Sequence, residues 1–110
     1  MYDEWIGVDL DGTLAHYDGW IGPEHIGDPI PKMMERVKGW ISDGKQVKIF
    51  TARCSDPEQI QPVRNWLKKQ GLPDLEITNI KDYGMIELWD DRCIQVVSNT
   101  GERVGLQEPG

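Results

Sequence analysis

Long apolar runs are missing from this chain: none approaches the roughly 20 residues of a membrane-spanning helix, so no membrane partner is expected. Cysteine is scarce. Cys54 and Cys93 are the only two, and they are not in a metal-type C-x-x-C spacing. MYDEW at the start lacks a basic-then-apolar leader, so reduced thiols in the cytoplasm are the expectation. Positive charge is in deficit. The formal net charge of −7 argues against non-specific binding to a polyanion, whose affinity comes largely from Lys and Arg. A metal or a local basic cluster can still bring an anionic substrate into a cleft. No G-x-x-x-x-G-K-[ST] is present, which excludes a P-loop enzyme. No internal repeat, low-complexity tract or charge block interrupts the chain, and GLQEPG at its close reads as a frayed end.

What is present suits a soluble globular protein, with 38% apolar and 28% charged residues. Its 110 residues suffice for one core and one domain, 1–110. Trp5 to Val8 is an apolar run that predicts a buried strand, leading into IGVDLDGTL with carboxylates at Asp9 and Asp11. Carboxylates at the end of a buried strand are costly to desolvate unless a cation or hydrogen bonds compensate them. Residues 15–29 carry no steady period and are punctuated by Gly19, Gly22, Pro23, Gly27 and Pro29. They predict an irregular flap. Its Tyr17, Trp20 and His25 either pin the loop to the body, which suffices to explain each, or touch a substrate.

Ile30 to Asp43 has the spacing of an amphipathic helix, with Met33, Met34, Val37, Trp40 and Ile41 on one face. Pro31 suits its first turn and Gly44 its stop. Gln46 to Phe50 reads as a second strand, ending at Thr51-Ala52-Arg53. Asp56 and Gln59 resemble a capped start. Because Pro62 follows, either that turn is separate or the main helix begins near Gln61; it ends at Gly71. Leu75 to Thr78 and Met85 to Trp89 predict a third and fourth strand, the fourth ending in Asp90-Asp91. CIQVV and ERVGL around Ser98 to Gly101 predict a terminal hairpin, with a helix after Asp91 as the alternative. Strands alternating with helices imply right-handed parallel crossovers and an α/β, Rossmann-like fold.

In a parallel sheet the strand ends share one edge, where ligands bind. That edge would gather Asp9 and Asp11, Thr51 and Arg53, Asp90 and Asp91, and Lys81 shortly after the third strand. Carboxylates, a hydroxyl and an ammonium form a phosphoryl-transfer set, and Mg²⁺ prefers one or two carboxylates plus substrate phosphate.

These residues resemble the haloacid dehalogenase superfamily of aspartate-nucleophile phosphohydrolases. DLDGTL at 9–14 matches its D-x-D-G-T motif, and Thr51, Lys81 and Asp90-Asp91 follow in the family's order. The resemblance implies a three-layer fold and an aspartyl-phosphate route, with Asp9 as nucleophile and Asp11 as acid and then base. It implies Mg²⁺ on the Asp9 carboxylate, the Asp11 main-chain carbonyl and the Asp90-Asp91 pair. Thr51 and Lys81 would hold phosphate oxygens. Gly12 would allow close approach of substrate, and Arg53 would either contact a phosphate or pair with a carboxylate. Arg92 reads as an ion-pair partner of the acidic pair, and Cys54 and Cys93 as packing residues. A receiver domain carries its acidic pair before the acceptor Asp, an order this chain reverses.

No interval is long enough for the cap domain common in that family. The substrate expected is a small phosphate ester such as a nucleotide, or a phosphorylated nucleic-acid end, with closure by the substrate itself or by a homo-oligomer. The layout loosely resembles the 3′-phosphatase part of polynucleotide kinases and small nucleotidases. The alternative is a non-catalytic domain of the same fold that binds a ligand or protein.

Overall fold

The computed structural model describes residues 3–105. The chain runs β1 (Trp5–Val8), α1 (Pro31–Ser42), β2 (Val47–Phe50), α2 (Ile60–Lys69), β3 (Glu76–Thr78) and β4 (Met85–Trp89). The sheet order is β3-β2-β1-β4 and every pairing is parallel, so the fold is the α/β, Rossmann-like arrangement predicted. Central β1 is buried at all its positions, which is why its sequence is apolar without alternation.

Register sorts the strand side chains by face. Ile6 pairs with Val47 and Val8 with Ile49, and these residues share one cluster with Met33, Met34 and Val37 of α1 and Val63, Trp66 and Leu67 of α2. Both helices therefore cover the same face. Val8, Val37, Ile49 and Val63 are fully buried there, each contributing about 1.5–3 kcal/mol relative to exposure. Trp40 and Trp89 close the β4 side of this layer with ring centroids 5.2 Å apart.

No helix among the described residues covers the other face. The third layer there is the connection 79–84, which crosses from β3 over β2 and β1 to reach β4. Asp82 anchors it: Oδ1 accepts the Trp5 indole N–H and the Gly84 N–H, each at 2.8 Å. The indole hydrogen bond is the main reason the Asp82 carboxyl sits below its ordinary pKa. Lys48 lies 4.4 Å over the Trp5 ring and pairs with Glu76 at 3.2 Å and Asp82 at 4.0 Å. Gly7 makes the room: a Cβ there would come within 2.9 Å of Met85 Cε and 3.1 Å of the Trp5 ring.

Local chemistry explains the boundaries. Asp56 caps a separate 3-10 turn at Pro57–Gln59, its Oδ1 accepting the Glu58 N–H at 3.1 Å. The main helix then starts at Ile60, so Pro62 falls in the first turn, where its missing N–H has no helical partner to lose. Gly44 and Gly71, both at positive φ, follow the helix ends. The C-terminal hairpin is short. A bridge joins Val96 and Arg103, flanked by Val97 N–H to the Glu102 carbonyl (2.7 Å) and Val104 N–H to the Gln95 carbonyl (2.9 Å). The expected strand through Leu106, like the ends MYDEW and GLQEPG, reaches outside the described residues. Among those residues no helix is long and apolar enough to cross a membrane.

Candidate functional site

The first element of the site is the turn that ends β1. The Leu10 carbonyl accepts the N–H groups of Thr13, Leu14 and Ala15 at 2.9–3.2 Å, and the Gly12 N–H donates to the Ala15 carbonyl at 2.8 Å. Leu10 and Leu14 are fully buried and anchor the turn, so Asp9 and Asp11, which alternate with Leu10, project to the rim. Gly12 has φ +90, and a Cβ on it would collide with the Asp91 carboxylate. Its N–H is already committed to the turn. What Gly12 supplies is space for Asp91.

The second element is the end of β4. The Asp9 N–H donates to the Trp89 carbonyl at 2.9 Å, so the β1–β4 ladder runs one step past the end of β1 and sets Asp90-Asp91 beside Asp9. Carboxylate oxygens of Asp9, Asp90 and Asp91 all lie within 4.8 Å of one another. Thr13 ties them together. Its hydroxyl accepts the Asp91 N–H at 3.0 Å and stands 3.4 Å from both Asp9 Oδ2 and Asp91 Oδ1. The sequence motif includes Thr13 without disclosing this bridging position.

The electrostatics follow from crowding. Asp9 is pushed up from 3.8 to about 7, first by burial, then by the negative charge of Asp90 and by the hydrogen bond and charge of Asp91. The Leu10 N–H opposes this in part. Three oxygen donors at this spacing could hold a metal ion. The Asp11 carboxylate stands apart from that group.

Arg53 holds it instead. Its Nε donates to Asp11 Oδ2 at 2.7 Å and its Nη2 to Oδ1 at 2.9 Å, a two-point fork. The remaining donors reach the flap: Nη1 to the Pro23 carbonyl at 3.1 Å and Nη2 to the His25 carbonyl at 3.0 Å. Trp20 covers the guanidinium, 4.9 Å from carbon to ring centroid. Arg53 is only 5% exposed, whereas Trp20 is 54% exposed. Of the two readings of Arg53, the carboxylate pair is the one formed. Residues 15–29 are thus a strap closed at its base by an Ala15–Pro29 bridge and latched at its middle by Arg53.

Asp9, Asp11, Thr51, Arg53, Asp90 and Asp91 border one open cavity of about 750 Å³. Thr51 is 2% exposed, and its hydroxyl accepts the Arg53 N–H at 3.2 Å, which leaves the hydroxyl hydrogen available to a ligand. Lys81 does not border the cavity; it is exposed on the crossing connection, and Asn79 lines the wall after β3. Phe50, Tyr17 and Trp20 add aromatic surface, and Arg92 adds a second cation. Arg92 makes no ion pair with the acidic residues; its N–H donates to Asp90 Oδ1 at 2.8 Å, closing a turn. Both thiols are free; burial pushes the Cys54 thiol up, as in a packing residue and unlike an activated nucleophile, whereas Cys93 is exposed in the turn after Asp90 and does not pack as expected.

No family model matches the chain, and no curated protein does so. Among solved structures, a conserved protein from Bacteroides thetaiotaomicron is similar at 20% identity, with a TM-score of 0.65 over 84% of this chain and 78% of that one. At that identity the likeness extends to the fold alone.

Proposed function

We propose that this protein is a Mg²⁺-dependent phosphatase of the haloacid dehalogenase type, hydrolysing a phosphate monoester through an aspartyl-phosphate. The observation that carries the reading is the Asp9, Asp90 and Asp91 oxygens within 4.8 Å of one another, beside a separately held Asp11. Mg²⁺ on those carboxylates, with the Asp11 carbonyl that the resemblance adds, would offset part of their charge and of the charge on the phosphate they face. Asp9 attacks phosphorus as its carboxylate, and the bond to the leaving oxygen breaks. Asp11 gives that oxygen a proton, then takes one from the water whose oxygen attacks phosphorus and releases Asp9. Arg53 orients Asp11 throughout, and one oxygen must leave the fork to carry the proton. Thr51 donates its hydroxyl hydrogen to a phosphate oxygen.

The open cavity, lined in part by Tyr17 and Trp20, suits a small phosphorylated molecule or a nucleic-acid end, enclosed by its own bulk or by a second copy of the chain. Two free thiols fit a cytoplasmic setting. One observation favours the rival reading, a ligand-binding domain without turnover: both Asp11 oxygens are engaged by Arg53. Hydrolysis of an aryl phosphate with Mg²⁺, compared between wild type and Asp9→Asn, separates the two. We expect turnover in the wild type only. Equal rates would remove Asp9 from the mechanism. No turnover on nucleotides, sugar phosphates or 3′-phosphorylated oligonucleotides would favour binding alone.

A further inference from the structure

The cavity is bordered by two cations, Arg53 and Arg92. Arg53 is committed: its fork holds Asp11, and its other contacts hold the Pro23 and His25 carbonyls. Arg92 is not. Among the described residues its guanidinium enters no ion pair or hydrogen bond, while its backbone N–H is fixed on Asp90 Oδ1 at 2.8 Å. That turn sets Arg92 directly after the two carboxylates that face Asp9.

The lysine expected in this role lies elsewhere, for a reason of chain reach. β3 ends at Thr78 and β4 begins at Met85. In between, the chain must pass three strand spacings, about 14 Å at roughly 4.8 Å each, and return to the edge where parallel strands start. Asp82 is already docked on Trp5, the first residue of β1. Lys81, one residue earlier, is therefore carried away from the edge that holds Asp9. Only Asn79, next to Thr78, still borders the cavity.

A phosphate here would meet a charge deficit. Three carboxylates outnumber the charge of one divalent cation, and a phosphate dianion adds to the excess. A guanidinium offers paired N–H donors that match two phosphate oxygens. We propose that Arg92, not Lys81, is the cation that engages the substrate's phosphate. The inference rests on the phosphatase reading and deepens it by assigning the phosphate-facing charge.

Calorimetric titration of inorganic phosphate in the presence of MgCl₂ tests it, on wild type, Arg92→Ala, Arg92→Lys and Lys81→Ala. We expect Arg92→Ala to weaken phosphate binding about tenfold, the scale of a lost hydrogen bond to a charged group. Arg92→Lys should recover part of the loss, and Lys81→Ala should bind within about twofold of wild type. Arg92 is exposed, so its variants should melt with the wild type; Arg92→Gln is the second variant should Arg92→Ala fail to fold. On an aryl phosphate, KM should rise more than kcat falls. Wild-type affinity in Arg92→Ala, or a loss confined to Lys81→Ala, overturns the assignment while leaving the phosphatase reading in place. A wild type that neither binds phosphate nor hydrolyses the aryl ester overturns both.

Discussion

Replacing Asp9 by Asn should stabilise the metal-free protein, and the gain should grow with pH. Asp9 rises from an ordinary 3.8 to about 7 because burial and the charges of Asp90 and Asp91 disfavour its anion. The folded state therefore binds that proton more tightly than the unfolded chain, so Asp9 costs stability as pH rises from about 4 and the cost levels off above about 7. A difference from 3.8 to about 7 is on the order of 4 kcal/mol. Asp9 is only half-buried at the rim of an open cavity, so solvent screening reduces this to about 1–2 kcal/mol. Asparagine keeps the shape and removes the charge. At pH 8 in EDTA we expect Asp9→Asn to melt several degrees above wild type, at roughly 4–8 °C per kcal/mol for a domain of this size. At pH 3.5, below the unfolded value, most of the difference should disappear. Millimolar Mg²⁺ at pH 8 should raise the wild type and leave the variant almost unmoved. The assay is thermal denaturation followed by circular dichroism at both pH values, with and without Mg²⁺. A variant that melts at or below wild type at pH 8 without metal, or by the same margin at both pH values, would refute the claim that carboxylate crowding is stored in this site.

Arg53→Ala should cost about 3–5 kcal/mol in urea unfolding, because it strands the Asp11 carboxylate and frees two flap carbonyls. Arg53→Lys should rescue little, since an ammonium cannot make the fork. Rapid proteolysis within residues 15–29 should accompany both variants, and an intact flap in Arg53→Ala would contradict the latch. Gly12→Ala should destabilise by about 1–3 kcal/mol through its positive φ and should also displace Asp91. Loss of the Mg²⁺-induced melting shift is its signature, and a normal shift would show that Asp91 can retreat without consequence. Trp20→Ala should lower the melting temperature modestly with KM unchanged if the indole only covers Arg53. A large KM rise at constant melting temperature would place Trp20 on the substrate.

Much of this architecture was legible because the strands are short apolar runs with sharp chemical ends. Trp5–Val8 and Met85–Trp89 are bounded by charged or glycine residues, and the structure keeps those bounds. Parallel order then brings Asp9 to Asp90-Asp91 whatever the details of packing. Lys81 was misplaced by the same logic, because its distance from β3 in sequence does not reveal that the connection lacks a helix and doubles back under Trp5. Arg53 had two reasonable partners, and only the tertiary position of Asp11 decides between them. Thr13 gave no separate signal, since a hydroxyl in a tight turn is ordinarily explained by the turn itself. The flap carries no periodicity because scattered polar contacts hold it, the Arg53 guanidinium on two carbonyls and the Trp66 indole N–H on the Gly27 carbonyl, with Ile26 packed on the core.

The central position of β1 also ties the acid cluster to closure over a long stretch of chain. Its neighbours are β2, some forty residues later, and β4, some eighty residues later, paired through Val8 with Ile49 and Trp89. Until Met85–Trp89 arrives, one side of β1 is an open edge and Asp9 has no neighbouring acids. Long-range closure of this kind is slow relative to helix formation. The carboxylate cluster therefore exists only where the first and last strands of the sheet are paired. Repulsion among the acids bears on that one long-range pairing and on no local element.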